Sequence, residues 1–243
     1  MTERGVERGV DHPGSGVDDS GSRASSSESG PQTEGQRIRS LAFGPLRIVY
    51  DERVLAPRPW TRTQSEWGQA LLGGLPPGGV LELCAGVGHI GQLAVLSSSR
   101  RLVQVDADEV ACHFARVNAE RAGLSQRVEV RQGLLEEALA VEERFALVIA
   151  DPPWVPSADL ESHPEDPHRA IDGGRDGLDV ARACLEVAAR HLLPGGAVLL
   201  QVGTLGQVRA VEVHVAGRPK LGLRVAKHRL AEGGAVVHLV RPA

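Results

Sequence analysis

"VLELCAGVGHIG", residues 80–91, decides how the chain is read. An apolar run of strand length meets Gly86, Gly88 and Gly91 in the spacing GxGxxG, and an apolar run of helical period follows. A second strand-like run ends at Asp106, twenty residues after Gly86. This is the pattern of a nucleotide-type ligand site. The glycines permit a tight strand-to-helix turn and close backbone approach, and the acid at the end of the second strand accepts from ribose hydroxyls. A glycine turn selected only for strand-to-helix packing leaves the same pattern. Glu82 separates the ligands, because a carboxylate beside the loop repels a pyrophosphate at the helix N-terminus and attracts an ammonium or sulfonium. S-adenosylmethionine carries both cations and no phosphate. A methyl donor is therefore expected in preference to a nicotinamide dinucleotide.

Outward from this stretch, strands are expected at 79–84, 101–106, 127–131, 145–150, 196–202, 221–227 and 235–241. Helices are expected at 89–97, 107–122, 133–140, 177–192 and 205–214, with another in "QSEWGQALLGGL" closed by Gly73 and Gly74. Such alternation implies right-handed crossovers, hence an α/β fold with a mostly parallel sheet and helices on both faces. The last two strand runs, separated by "LAEGG", predict an antiparallel C-terminal hairpin. Upstream, "LAFGPLRIVYDERVLAPRP" predicts a β-hairpin turning around "YDER" and then a proline-stiffened loop. These occupy residues 38–60 and lead into a domain over 61–243. Residues 1–37, rich in Gly, Ser, Asp, Glu and Arg, lack the apolar surface to offset their ordering entropy and predict a disordered tail.

Composition narrows the partners. The 243 residues are 42% apolar with a net charge of −4, as in a soluble globular protein. Seven acids and four arginines in the tail leave the remainder near −1. That is too little positive charge for a duplex DNA binder working through phosphate contacts, though a small structured RNA remains open. No apolar run approaches the roughly 18 residues of a membrane span, and the N-terminus lacks a signal pattern. A cytoplasmic monomer without membrane contact is expected. Cys84, Cys112 and Cys184 lack CxxC pairing and read as small core residues. His163 and His168 stand in a Pro-rich loop without helical ligand spacing, so no metal site is expected.

Several stretches together resemble a known family. "LELCAGVGHIG" and "VQVDADEV" resemble the nucleotide-binding half of class I S-adenosylmethionine-dependent methyltransferases, whose Rossmann-like seven-stranded sheet also ends in an antiparallel hairpin. "VLAPRPWT" and "AIDGGRDGLDVARACLEVAARHLLPGGAVLLQVG" resemble the corresponding segments of the HemK-type enzymes, which methylate N5 of a release-factor glutamine. The resemblance implies a donor pocket at Glu82, Cys84, Ala85, Gly86, Gly88, Asp106, Ala107, Gln132, Gly133 and Asp151, and substrate contacts at Thr61 and Pro153. It also implies a catalytic set of Asp151, Pro152 and Trp154. The chain departs from the family in three places. Its tetrapeptide is DPPW rather than NPPY, Leu134 stands where an acid often lies near the adenine, and residues 1–37 hold no counterpart of the family's helical N-terminal domain.

The tetrapeptide carries the chemistry. An amide or exocyclic amine nitrogen has a delocalised lone pair and attacks a methyl group only when held in one orientation. The Asp151 carboxylate and the Pro152 carbonyl are acceptors for its two N–H groups; the prolines fix the turn and add no competing donor, and Trp154 offers a stacking face. An ionised aspartate only accepts and is also able to take the proton released. "VIADPPW" equally resembles the DPPY/DPPW signature of methyltransferases acting on base amines in RNA or DNA. The sequence therefore predicts an N-methyltransferase with a macromolecular substrate, a protein glutamine first and a base amine second. A nicotinamide-dependent oxidoreductase and an inactive adaptor remain as readings from other classes.

Overall fold

The computed structural model describes residues 37–243; the tail expected over 1–37 lies, apart from Arg37, outside the described residues. The chain begins with strands β1 (Arg39–Phe43) and β2 (Leu46–Tyr50), paired antiparallel. Their turn is at Gly44–Pro45, not at "YDER" as expected. Gly44 has φ +59, and proline supplies the fixed negative φ that follows, a combination suited to a two-residue hairpin turn. The acid of "YDER" instead folds the exit from β2, where Asp51 accepts from the Arg53 backbone amide at 3.0 Å.

Helix α1 (Arg62–Leu72) leads into the alternating region: β3 (Gly79–Leu83), α2 (His89–Val95), β4 (Leu102–Asp106), α3 (Glu109–Arg121), β5 (Val128–Gln132) and β6 (Phe145–Ala150). There follow the short α4 (His168–Ile171), α5 (Asp179–His191), β7 (Leu192–Val202), α6 (Leu205–Ala216), β8 (Arg224–Ala231) and β9 (Gly234–Val240). The order across the sheet is β5-β4-β3-β6-β7-β9-β8, parallel except where β9 runs against both β7 and β8. β6, FALVIA, is buried at every position, as a central strand covered on both faces must be. One face packs on α5 and α6 through Leu185, Ala188, Val208 and Val211; the other takes α1, α2 and α3 through Trp67, Ile90, Leu93 and Phe114. Phe43 and Ile48 of the β1–β2 hairpin join this second core. Asn118 of α3 ties the hairpin down by accepting from Val49 N–H at 2.8 Å and donating to the Val49 carbonyl at 3.0 Å.

One expected helix is missing. Residues 133–140 make a single turn, with the Glu137 and Ala138 amides on the Leu134 carbonyl at 3.0 and 3.1 Å. Arg131 then takes the Ala138 carbonyl at 3.1 Å and Glu143 takes the Ala140 amide at 2.8 Å. Side chains thus claim the backbone groups a helix would need, and β6 must begin at Phe145. At the other end of the sheet β7 starts earlier than expected, at Leu192, which pairs with Phe145 beyond a register shift.

Candidate active site

Register brings the chemistry together. β3 lies between β4 and β6, with Leu83 opposite both Val105 and Ala150. Cys84, Asp106 and Asp151 therefore leave three neighbouring strands at one level, at the carboxyl edge where open α/β sheets hold ligands. The chain turns sharply after β3: Cys84 has φ +55, Gly86 +52 and Gly88 +81. Cys84 is the one non-glycine residue with positive φ among the described residues, and its Sγ lies 3.9 Å from that of Cys184 on α5.

Behind this loop sits Glu82, buried, with both carboxylate oxygens engaged by the protein. One accepts from Gly91 N–H at 2.9 Å and the other from the Gln104 side-chain amide. Gln104 in turn donates to the Gly88 carbonyl at 2.9 Å and accepts from Gln92 at 3.0 Å. A side chain at Gly91 would collide with the Glu82 carboxylate, so the third glycine of the motif is needed for this approach. Burial pushes the Glu82 carboxyl up to about 7. Glu82 thus reaches the ligand side through the loop that it holds.

Asp106, partly exposed, uses one oxygen to accept from Gly86 N–H at 2.7 Å and the other to accept from Asp108 N–H at 2.9 Å. Burial raises its pKa. Ala85 N–H donates to the Val105 carbonyl at 3.1 Å, and Gly133 N–H to the Asp106 carbonyl at 2.9 Å, which links the loops following β3, β4 and β5. Ala107 and Gln132 are exposed beside them, Gln132 paired with Asp106, and Leu134 next to Gly133 is 60% exposed.

Asp151, the first residue beyond β6, is partly exposed, and burial alone pushes its carboxyl up to about 7. Pro152 is buried, while Pro153 and Trp154 are partly exposed. The Trp154 ring lies on Gly203, where any side chain would overlap it. Val155 forms a parallel bridge with Asp172, and the glycines of "DGGRDG" pack on the tetrapeptide: a Cβ at Gly173 would lie 2.7 Å from the Pro153 carbonyl oxygen. Neither Asp172 nor Asp176 serves as N-cap of α5; Leu178 stands there without a side-chain cap. Asp172 instead staples its own loop, accepting from Ser157 Oγ at 2.7 Å and Gly174 N–H at 2.9 Å.

The segment before α1 closes the other side. Thr61 is buried; its Oγ1 donates to the Arg58 carbonyl at 2.8 Å and lies 3.3 Å from His89 Nε2, with the His89 ring held neutral because burial depresses its pKa to about 3. Arg58 pairs with Asp166 at 2.5 Å, joining the segment before α1 to the loop after β6, and the Trp60 ring rests on Gly233 in the β8–β9 turn. Gln207, Gly203 and His89 are the residues sequence reasoning missed. For Gln207 the signal was present, since Thr204 and Gln207 have the T-x-x-Q spacing of a capping box.

A glycine turn after the first parallel strand, an acid ending the second, D-P-P-W after the fourth and this strand order define a class I S-adenosylmethionine-dependent methyltransferase fold of HemK type. The chain belongs to the Methyltransferase small domain family, which it matches over residues 68–210. It is 37% identical over 175 residues to a release factor glutamine methyltransferase of Geobacter sulfurreducens, covering 70% of this chain and 60% of that protein. It is 31% identical to a ribosomal protein uL3 glutamine methyltransferase of Burkholderia pseudomallei, covering 65% of this chain and 55% of the relative. The chain thus spans somewhat over half the length of these curated relatives. A solved methyltransferase from Pyrococcus furiosus shares the fold, with TM-score 0.58 and 20% identity over 83% of this chain and 92% of that one.

Proposed function

We propose that the protein transfers a methyl group from S-adenosylmethionine to the side-chain amide nitrogen of a glutamine in another protein. The observation that carries this reading is Asp151, an acceptor at the end of β6, one strand away from the glycine loop after β3 and two from Asp106. The site fits the donor. Nothing lies within 4 Å of where a side-chain carbon at Gly86 would stand, and the Asp106 carboxylate retains lone pairs beyond its two backbone contacts. Asp106 would hold the ribose hydroxyls, and the backbone of Cys84, Ala85 and Gly86 the methionine end. S-adenosylmethionine supplies an electrophilic methyl group on a sulfonium.

The residues of this chain do the positioning. Asp151 and the Pro152 carbonyl accept the two amide N–H groups and aim the nitrogen lone pair, while Trp154 covers one face of the planar amide. An ionised Asp151 also takes the proton released by the nitrogen, for which a pKa of about 7 suits it. Among the described residues no helix is long and apolar enough to cross a membrane, and release factors and ribosomal proteins, the substrates named for the relatives, are macromolecules. A base amine in RNA or DNA is the second reading, favoured by aspartate and tryptophan in the tetrapeptide, which suit an exocyclic amine on a stacked base. Incubating cell lysate with methyl-labelled donor and this protein, then digesting with protease or nuclease, tests the choice. Protease-labile label that yields N5-methylglutamine on hydrolysis to single residues supports the proposal; nuclease-labile label overturns it in favour of the base amine.

A further inference from the structure

The tetrapeptide is pinned at both ends by glutamine side chains. At its start Gln64 of α1, fully buried, donates to the Ala150 carbonyl and the Leu199 carbonyl, each at 2.9 Å. At its end Gln207 of α6, also buried, donates to the Trp154 carbonyl at 2.8 Å. The two prolines between have fixed φ, so anchoring both ends leaves the backbone that carries Asp151 and the Pro152 carbonyl little freedom to turn.

Gln207 also occupies the third position of α6, where it accepts from Gly203 N–H at 2.8 Å and Thr204 N–H at 3.2 Å while Thr204 Oγ1 accepts from Gln207 N–H at 3.1 Å. A capping box requires only the acceptor half of this side chain, and glutamate serves it as well as glutamine. The donor half reaches away from the helix to Trp154, with the carbonyls of Asp176 and Gly177 at 3.3 and 3.5 Å. We propose that Gln207 is a positioning residue for methyl transfer: its amide donor fixes the Trp154 carbonyl, and with it the acceptor pair Asp151 and Pro152. This rests on the reading of DPPW as the site that orients the nitrogen.

Gln207→Glu separates the two halves. The cap survives and an acid in the first turn is favourable, but the carboxylate faces carbonyl oxygens and repels the end of the tetrapeptide. Thr204→Ala is the converse, weakening the cap and leaving the donor. Each variant is measured for melting temperature, for S-adenosylhomocysteine affinity, for kcat and donor KM in label transfer to lysate, and by 19F NMR with 5-fluorotryptophan, the Trp154 resonance being assigned by Trp154→Phe. Gln207→Glu is expected to melt a few degrees below the wild type, because a buried carboxylate then faces carbonyl oxygens, but to keep donor affinity and KM, to lose roughly ten- to hundred-fold in kcat, and to shift the Trp154 resonance. Thr204→Ala is expected to lower the melting temperature with the resonance and kcat retained. Wild-type turnover in Gln207→Glu, or equal loss in Thr204→Ala, overturns the inference. The fluorine spectrum needs no acceptor, so an unmoved Trp154 resonance in Gln207→Glu overturns it even if the glutamine assignment fails. A moved resonance with label on nucleic acid sinks only that assignment.

Discussion

Asp106 accepts the Gly86 amide at 2.7 Å, so the acid ending β4 and the glycine loop after β3 are tied to each other independently of any ligand. Removing that carboxylate takes away a ribose acceptor and loosens the loop together. Asp106→Ala is expected to weaken S-adenosylhomocysteine binding by about 1.5–3 kcal/mol, the range for a hydrogen bond to a charged group. Calorimetric titration measures it, and an unchanged isotherm sinks the assignment of this pocket.

Asp151 gives a pH profile. With its carboxyl pushed up to about 7, it is protonated in mildly acidic solution and presents a donor where the substrate N–H needs an acceptor. The single-turnover rate should therefore rise as pH passes through about 7, and the inflection should vanish in Asp151→Asn, which keeps one acceptor oxygen and partial activity. Asp151→Ala should lose most transfer while donor affinity and melting temperature stay close to wild type. Wild-type transfer by Asp151→Ala would reduce the tetrapeptide to a turn.

Glu82 gives a stability profile instead. Glu82→Gln puts an amide NH2 group against one of the two donors that hold the carboxyl, Gly91 N–H and the Gln104 amide, and should cost about 1–3 kcal/mol. The folded-state carboxyl is raised from 4.5 to about 7, so the folded protein holds that proton more tightly than the unfolded chain. The stability this contributes is complete below pH 4.5 and lost as pH rises through about 7. Glutamine does not titrate. The gap in melting temperature between wild type and variant should be widest near pH 5 and narrower at pH 8; a constant gap contradicts burial as the cause of the shift.

Gly203 seats the Trp154 ring. A methyl group there displaces the ring from the face it offers to substrate, so Gly203→Ala should raise the acceptor KM by the equivalent of about 1–3 kcal/mol for a stacked base, or less for an amide. Donor affinity should not change. Equal losses in donor and acceptor binding would mean that the substitution disturbs the sheet rather than the seat.

Cys84 holds a left-handed conformation that glycine adopts without cost. Cys84→Gly relieves this strain and leaves space beside Cys184, two opposed effects that should keep the melting temperature within a few degrees. Cys84→Val places a β-branched side chain at φ +55 and should melt several degrees lower. Scanning calorimetry of the pair decides it, and equal melting temperatures would show that the turn relaxes freely.

The sequence by itself determined the sheet, the crossovers, the closing hairpin and the positions of the glycine loop, Asp106 and Asp151. These follow from local rules: strand and helix periods, glycine and proline at turns, and the carboxyl ends of neighbouring parallel strands. Local rules misassigned two stretches where neighbouring groups compete for the same backbone. "YDER" has turn composition, yet Gly44 and Pro45 have the dihedral pair the hairpin needs; residues 133–140 have helical composition, yet Arg131 and Glu143 claim their backbone groups. The partners of Glu82 and Gln207 were decided only by tertiary structure. Gln104 lies 22 residues from Glu82, and Trp154 lies 53 residues from Gln207. Sequence spacing shows that an acid or an amide is present; only packing decides whether its hydrogen-bonding atoms face a ligand or another part of the chain.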